Sequence, residues 1–355
     1  MKKVLLVTFS DNSDHQDTLF GMYEQLIDDP DIDAYLLAIK TPKVELKRSS
    51  HTWLVDCPKR PGITKGTFNL PLLTSLLRKV KKEHFDVIYF ESLHVWNIPF
   101  LMQAGKNTKT FHVIHEVIPH EGDSQVKQVD FMNKVLAKYA DIIVLRNQTY
   151  IPQMVSRYKI SNDRVKYLEL WRRYPEYTNP VHSKRVLFFG RINPYKGADN
   201  LLAIVNACPE IQFDVIGRVD PQCADIVAEL GKLTNVHLNN EYVSEAEMEQ
   251  AFINCDWAIV PYNSASQSGI IIDAYKFSRP VIAFDVGAIS EQVNDGHSGY
   301  LIKAGDNDAF AEKVRAVVKF DHDMYDTMSR EAYQYGSQKY SASGAVQRFK
   351  KLILE

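Results

Sequence analysis

Two cations stand five residues apart in the loop Gly190-Arg191-Ile192-Asn193-Pro194-Tyr195-Lys196-Gly197. The loop follows the apolar run 185–189 (RVLFF), which reads as a buried parallel strand. A diphosphate concentrates negative charge, and two cations across one loop can grip it from both sides. A second stretch, 263–306, supplies a matching part. The apolar run 257–260 before it reads as another buried strand, stopped by Pro261 and Tyr262. Ser264, Ser266, Gln267, Ser268 and Gly269 then make a small polar loop that opens a helix through about Phe277, with Ile270 in its first turn. Backbone N–H groups approach a ligand closely at a glycine, and a helix start favours an anion. Asp273, one turn further in, can point back toward the same crevice. A phosphate site beside a carboxylate suits a nucleotide, whose ribose offers hydroxyls to that carboxylate.

Parallel sheets with crossover helices must position these groups, and the chain alternates strand-like and helix-like runs throughout. Strands are predicted at 4–9, 34–39, 86–91, 110–114, 141–145 and 165–168, then at 185–189, 213–216, 236–238, 257–260 and 281–284. Residues 171–180, with two prolines and no periodicity, read as a linker between two domains. Gly217 ends the 213–216 strand, and Ser244 to Glu247 spells a capping box for the next helix. The loop from Ser10 to Asp17 is polar; it either touches a substrate or is solvated and capped by Asp17 or Thr18. His115, Glu116, His120, Glu121 and Asp123 follow the 110–114 strand and cluster at the edge where open sheets bind ligands. Asp29, Asp31 and Asp33 have a D-x-D spacing, but at a helix-to-strand turn, where Asp and Pro serve the backbone. They are not read as a metal site.

The order small-polar loop, Gly269, Asp273, RPVIAFDVGAISEQV, DGHSGYLIKAGD resembles the donor-binding half of family 4 glycosyltransferases, and 190–197 matches their G-R-x-x-x-x-K-G pattern. The resemblance implies a retaining enzyme of the GT-B fold: two Rossmann-like doubly wound α/β domains facing across a cleft. The acceptor-binding domain would be 1–175 and the nucleotide-sugar domain 183–338. The helix 339–355 would cross back to the first domain. A nucleotide diphosphate sugar is then the substrate, with no cofactor and no metal. Arg191, Lys196 and His115 are the expected catalytic residues. Gly190, Gly217, Tyr242, Val243, Gln267, Ser268, Gly269, Ile270 and Asp273 would bind the donor, with the base near Tyr242 and Val243. His94, Glu116, His120 and Ser266 are further candidates for sugar or acceptor contacts. The family usually carries two glutamates eight positions apart; here the second falls on Asp273 and the first on Ala265. That departure puts the first contact in question and leaves a second reading, a non-catalytic GT-B subunit that binds glycan or nucleotide and assists a partner. A dehydrogenase is excluded by the lack of a G-x-G-x-x-G after a strand.

The 355 residues, 45% hydrophobic and 24% charged, suit two globular domains, and a net charge of −2 argues against a nucleic-acid partner. Cys57, Cys208, Cys223 and Cys255 lie far apart and read as reduced residues of a cytoplasmic protein. The N-terminal apolar run is too short for a signal-peptide core, and no run reaches the ~18 residues of a membrane span. Residues 70–85 form an amphipathic helix with the apolar stripe Leu72, Leu73, Leu76, Leu77 and Val80, ending in Arg78, Lys79, Lys81 and Lys82. It either packs on a core with well-placed C-terminal cations or also rests on anionic lipid, as a lipid-linked glycan acceptor would require.

Overall fold

The computed structural model describes residues 1–57, 65–118 and 126–354. The chain forms two compact units, one of residues 1–173 with 340–355, the other of residues 174–339. In the first, strands β1 (Lys2–Thr8), β2 (Ile32–Ile39), β3 (Thr52–Val55), β4 (Val87–Phe90), β5 (Lys109–Ile114), β6 (Ile142–Leu145) and β7 (Val165–Tyr167) alternate with helices. These are α1 (Ser13–Leu26), α2 (Leu70–Glu83), α3 (Asn97–Gln103), α4 (Val126–Tyr139) and α5 (Ile151–Tyr158). The sheet is parallel, in the order β3-β2-β1-β4-β5-β6-β7. Such strands are near-continuous apolar runs because helices cover both faces. Leu5 and Val7 of β1 meet Leu76 and Val80 of α2 and Leu136 of α4 in one core; Val4 and Leu6 lie in the core on the other face.

The second unit holds β8 (Arg185–Phe189), α6 (Ala198–Ala207), β9 (Gln212–Ile216), α7 (Ala224–Leu230), β10 (Val236–Asn239), α8 (Glu245–Ile253) and β11 (Trp257–Val260). It continues through α9 (Gly269–Lys276), β12 (Val281–Asp285), β13 (Gly299–Lys303), α10 (Asn307–Val318) and α11 (His322–Tyr340). Its parallel sheet runs β10-β9-β8-β11-β12-β13. The capping box is present: Ser244 accepts from the Glu247 N–H, and Glu247 returns a bond to the Ser244 N–H.

The last helix, α12 (Ala342–Leu354), belongs to the first unit. Ala345, Val346, Phe349 and Ile353 join Leu19, Tyr23 and Tyr89 in the second of its cores. The Lys350 ammonium lies 2.7 Å from Asp29 and 3.0 Å from Asp31, so the D-x-D carboxylates anchor α12. Three local features differ from expectation. The strands β3 and β13 have no counterpart among the predicted ones: β3 is a four-residue edge strand, mostly half-buried, and β13 follows the turn at Gly296 and itself begins on a glycine, Gly299. The 10–17 loop is shorter than expected, since α1 starts at Ser13 with the Asn12 side-chain Oδ1 accepting from the Asp14 N–H. Asp17 and Thr18 lie inside that helix and cap nothing.

Candidate functional site

In an open parallel sheet, ligands bind outside the carboxyl ends of the strands where the strand order reverses. In the second unit that point lies between β8 and β11. The loop after β8 is 190–197, and the loop after β11 is 261–268. They are stitched together. The Tyr195 carbonyl accepts the N–H groups of Asn263 (2.9 Å) and Ser264 (3.2 Å), and the Asn263 carboxamide donates to the Pro194 carbonyl at 2.9 Å. From α6, Asn200 donates to the Pro261 carbonyl at 3.0 Å.

Gly190 is the meeting point. Its φ is +116°, and a Cβ there would lie 2.7 Å from the Lys196 ammonium and 3.9 Å from the Ile270 side chain. A bare α-carbon leaves room for the ammonium of the first loop, with the first turn of α9 at van der Waals distance from the same spot. Gly217, at φ +147°, lies so close that a Cβ would sit 2.1 Å from the Gly190 carbonyl oxygen. The ends of β8 and β9 therefore approach backbone to backbone. Lys196 is half-buried with its ammonium 5.2 Å from the Tyr262 ring centre, and Asn193 holds its N–H at 2.9 Å. Arg191 is exposed and makes no hydrogen bond or ion pair among the described residues.

The segment before α9 is tightly packed. Ala265 is 3% exposed, Ser266 and Ser268 are buried, and Gln267 is half-buried. Ser268 is the N-cap residue without capping through its side chain; its hydroxyl is buried and has no hydrogen-bond partner among the described residues. Asp273 is buried within α9. Tyr242 is 85% exposed on the loop after β10, with Val243 half-buried beside it. Gln292 has no counterpart among the residues singled out from sequence, yet it holds both the backbone N–H and the backbone carbonyl of Ser268.

The first unit carries a cluster of its own around the reversal between β1 and β4. His115, just past β5, places Nε2 2.8 Å from the Glu91 carbonyl oxygen, so that nitrogen carries the proton. Its ring stacks on His15 of α1, with centres 4.3 Å apart. The Glu91 carboxylate is fully buried and takes the Arg146 guanidinium, which also donates to the carbonyls of Leu168 and Glu169. Burial pushes the Glu91 carboxyl up, but Arg146 and His115 outweigh it and hold it at about 2. Burial, then His115, pushes the His15 imidazole down to about 3, and burial takes His112 to about 4.

His94 does not join this cluster. It is buried against Phe9 and Trp96, and its Nδ1 accepts the Trp96 N–H at 3.1 Å, so it is a packed core histidine. Glu116 is half-buried, and its carbonyl accepts from Asn133 at 2.8 Å. His120, Glu121 and Asp123 lie outside the described residues. A cavity of about 610 Å³ between α2 and α3 opens at Asp86 and Thr108, the amino edge of the same sheet, away from the loops that carry the candidate groups.

Both shifted histidines are held neutral in the fold, so the unfolded chain binds more protons at mildly acid pH. Their contribution is fully present above pH 6.5 and is lost as pH falls toward 4 for His112 and 3 for His15. That of Glu91 is present above pH 4.5 and lost toward pH 2. The expected outcome is a melting temperature that falls on acidification in two stages. His15→Gln should flatten the first stage in a pH series of thermal melts; an unchanged slope would place the titration elsewhere.

Both parallel-sheet units are Rossmann-like, the architecture of the GT-B fold. Over all of both chains, the fold is similar to Anabaena Alr3699/HepE in complex with UDP-glucose, with a TM-score of 0.74 at 16% identity. Residues 183–319, within the second unit, match the family described as Glycosyl transferases group 1. The chain is 23% identical over 320 residues to an uncharacterized 41.2 kDa protein in the cps region of Klebsiella pneumoniae, covering 83% of this chain and 87% of that one. It is 28% identical over 148 residues to the phosphatidyl-myo-inositol mannosyltransferase of Mycobacterium leprae, a match spanning 40% of this chain and 39% of that enzyme.

Proposed function

We propose that this protein transfers a hexosyl-type sugar from a nucleoside diphosphate donor to a hydroxyl of a glycan or lipid-linked glycan, in cell-surface polysaccharide or glycoconjugate synthesis. The observation that carries the reading is the contact at Gly190, where the Lys196 ammonium and the opening turn of α9 close on one α-carbon. That geometry offers a half-buried cation on Lys196, an exposed one on Arg191 and a helix N-terminus to a single diphosphate. As the bond from the sugar's anomeric carbon to the phosphate oxygen breaks, these groups take the charge left on the diphosphate, with no divalent ion in the scheme. The acceptor oxygen forms the new bond, and its proton passes to the leaving phosphate. The family resemblance adds retention of configuration. Asp273 would take the ribose hydroxyls, Tyr242 and Val243 the base, and Gln267 and Ser266 the sugar. The relatives and the bound UDP-glucose of the similar fold support a nucleotide-sugar donor. A thermal-shift panel of nucleotide sugars tests the reading, because a ligand of the folded state raises its stability. One or two donors should stabilise the protein and be turned over on adding acceptor. Stabilisation without turnover on any acceptor would instead favour the non-catalytic subunit.

We place the acceptor's membrane surface, at the inner face of a membrane, against α2. Its apolar stripe is accounted for by the core, where Leu76 and Val80 are buried and Leu72, Leu73 and Leu77 pack at the edge. What remains outside is Phe68 and Leu70, 64% and 60% exposed, with exposed Arg78, Lys81 and Lys82. The Lys79 ammonium lies 3.7 Å from the Trp53 ring centre. Among the described residues no helix is long and apolar enough to cross a membrane. Vesicles containing phosphatidylglycerol should bind the protein weakly. Glutamine at 78, 81 and 82 should cost roughly 1 kcal/mol of that binding per charge. Equal binding to neutral vesicles would leave α2 as core packing.

A further inference from the structure

The start of α9 is held from outside the helix. Ser268 makes no side-chain cap, and its peptide is gripped by a residue 24 positions later. Gln292 Oε1 accepts the Ser268 N–H at 2.6 Å, and Gln292 Nε2 donates to the Ser268 carbonyl at 3.0 Å. Both residues are buried. A carboxamide is a side chain that sets one donor beside one acceptor, as this pairing requires. Gln292 is itself fixed: its carbonyl accepts from the Tyr275 hydroxyl at 3.2 Å, which pairs with Ser298 at 2.8 Å. A second tie, from the Ala288 N–H to the Ala265 carbonyl at 3.2 Å, pins the other end of the loop to the same segment.

We propose that Gln292 is the positioning residue of the donor's phosphate site. By taking the backbone N–H and C=O of Ser268, it sets the orientation of the two peptide groups that flank this residue at the entry to α9. The following N–H groups, from Gly269 and Ile270, have no intrahelical partners and so stand oriented for phosphate oxygens before a ligand arrives. The Ser268 N–H is occupied by Gln292 and is no part of the anion site. Such preorganisation raises affinity by removing ordering that binding would otherwise require. The inference rests on the reading of this site as a nucleoside diphosphate site.

The test compares Gln292→Leu and Gln292→Glu with the wild type by calorimetry, using the mono- and diphosphates of uridine and guanosine. Leucine removes both hydrogen bonds; glutamate keeps the acceptor, loses the donor and adds negative charge beside the site. Two variants of different character guard against one failing to fold. For whichever base binds, diphosphate affinity should fall about tenfold or more, a loss of about 1.4 kcal/mol, and monophosphate affinity less than about threefold. Turnover should fall as well, with kcat lowered beyond what the rise in KM explains. Diphosphate binding equal to wild type, or equal proportional losses for mono- and diphosphate, would overturn the positioning role. A wild type that binds no nucleoside diphosphate removes the underlying reading, a different failure visible before any variant is made.

Discussion

Lys196→Ala and Arg191→Ala should each remove on the order of 2–4 kcal/mol of transition-state stabilisation, seen as a fall in kcat/KM on the true donor. The reason is where the charge develops. A nucleoside diphosphate leaves with more charge than it brought, and a fixed cation is worth most against charge that appears during the reaction. The two cations should not be equal. Lys196 is half-buried, its ammonium resting over the Gly190 α-carbon and beside Tyr262, so its position is set before the donor arrives. Arg191 is exposed and must be ordered by the ligand. Lys196→Ala should therefore cost more, and Gly190→Ala should reproduce part of its effect, because the added methyl takes the space of the ammonium at an unfavourable φ. Near-normal turnover in Lys196→Ala would remove the diphosphate from this loop.

The second large effect is on stability. Glu91 and Arg146 have no exposed side-chain surface, and Arg146 also bonds the Leu168 and Glu169 carbonyls and stacks on Trp171. Removing one partner strands a buried charge, so Arg146→Ala should destabilise the protein by about 3–5 kcal/mol. The double variant Glu91→Leu/Arg146→Met should cost far less than the sum of its single changes, since a well-packed apolar pair can replace a buried ion pair at little cost. Denaturant unfolding of the four proteins gives the coupling directly. Additive losses would mean that Glu91 and Arg146 act separately.

Much of this was legible in the sequence because it is local. The strand 185–189 followed by Gly190-Arg191 and Lys196-Gly197 puts strand, turn and cations in thirteen consecutive positions, and the capping box at Ser244 needs four. The other side of the ledger is tertiary. Glu91 at the end of an apolar strand and Arg146 at the end of another are 55 positions apart, and only their adjacency in a folded sheet reveals the pair. His94 and His115 look alike as histidines past strands, but Phe9 and Trp96 enclose one, while the other stacks on His15. Gln292 sits in a stretch that reads as an ordinary loop, and nothing local says that its carboxamide reaches Ser268. The edge strand β3 is short and mostly half-buried, so it lacks the continuous apolar run that marked its neighbours.

The most direct test of the central claim is a calorimetric titration of the intact chain with uridine and guanosine diphosphates in the presence of a metal chelator, repeated on Lys196→Ala. One of the two nucleotides should bind the wild type in the chelator. Lys196→Ala should weaken that binding by roughly tenfold or more, the scale of a lost charge-assisted hydrogen bond. Binding that appears only when magnesium is restored, or that survives Lys196→Ala unchanged, would contradict that claim.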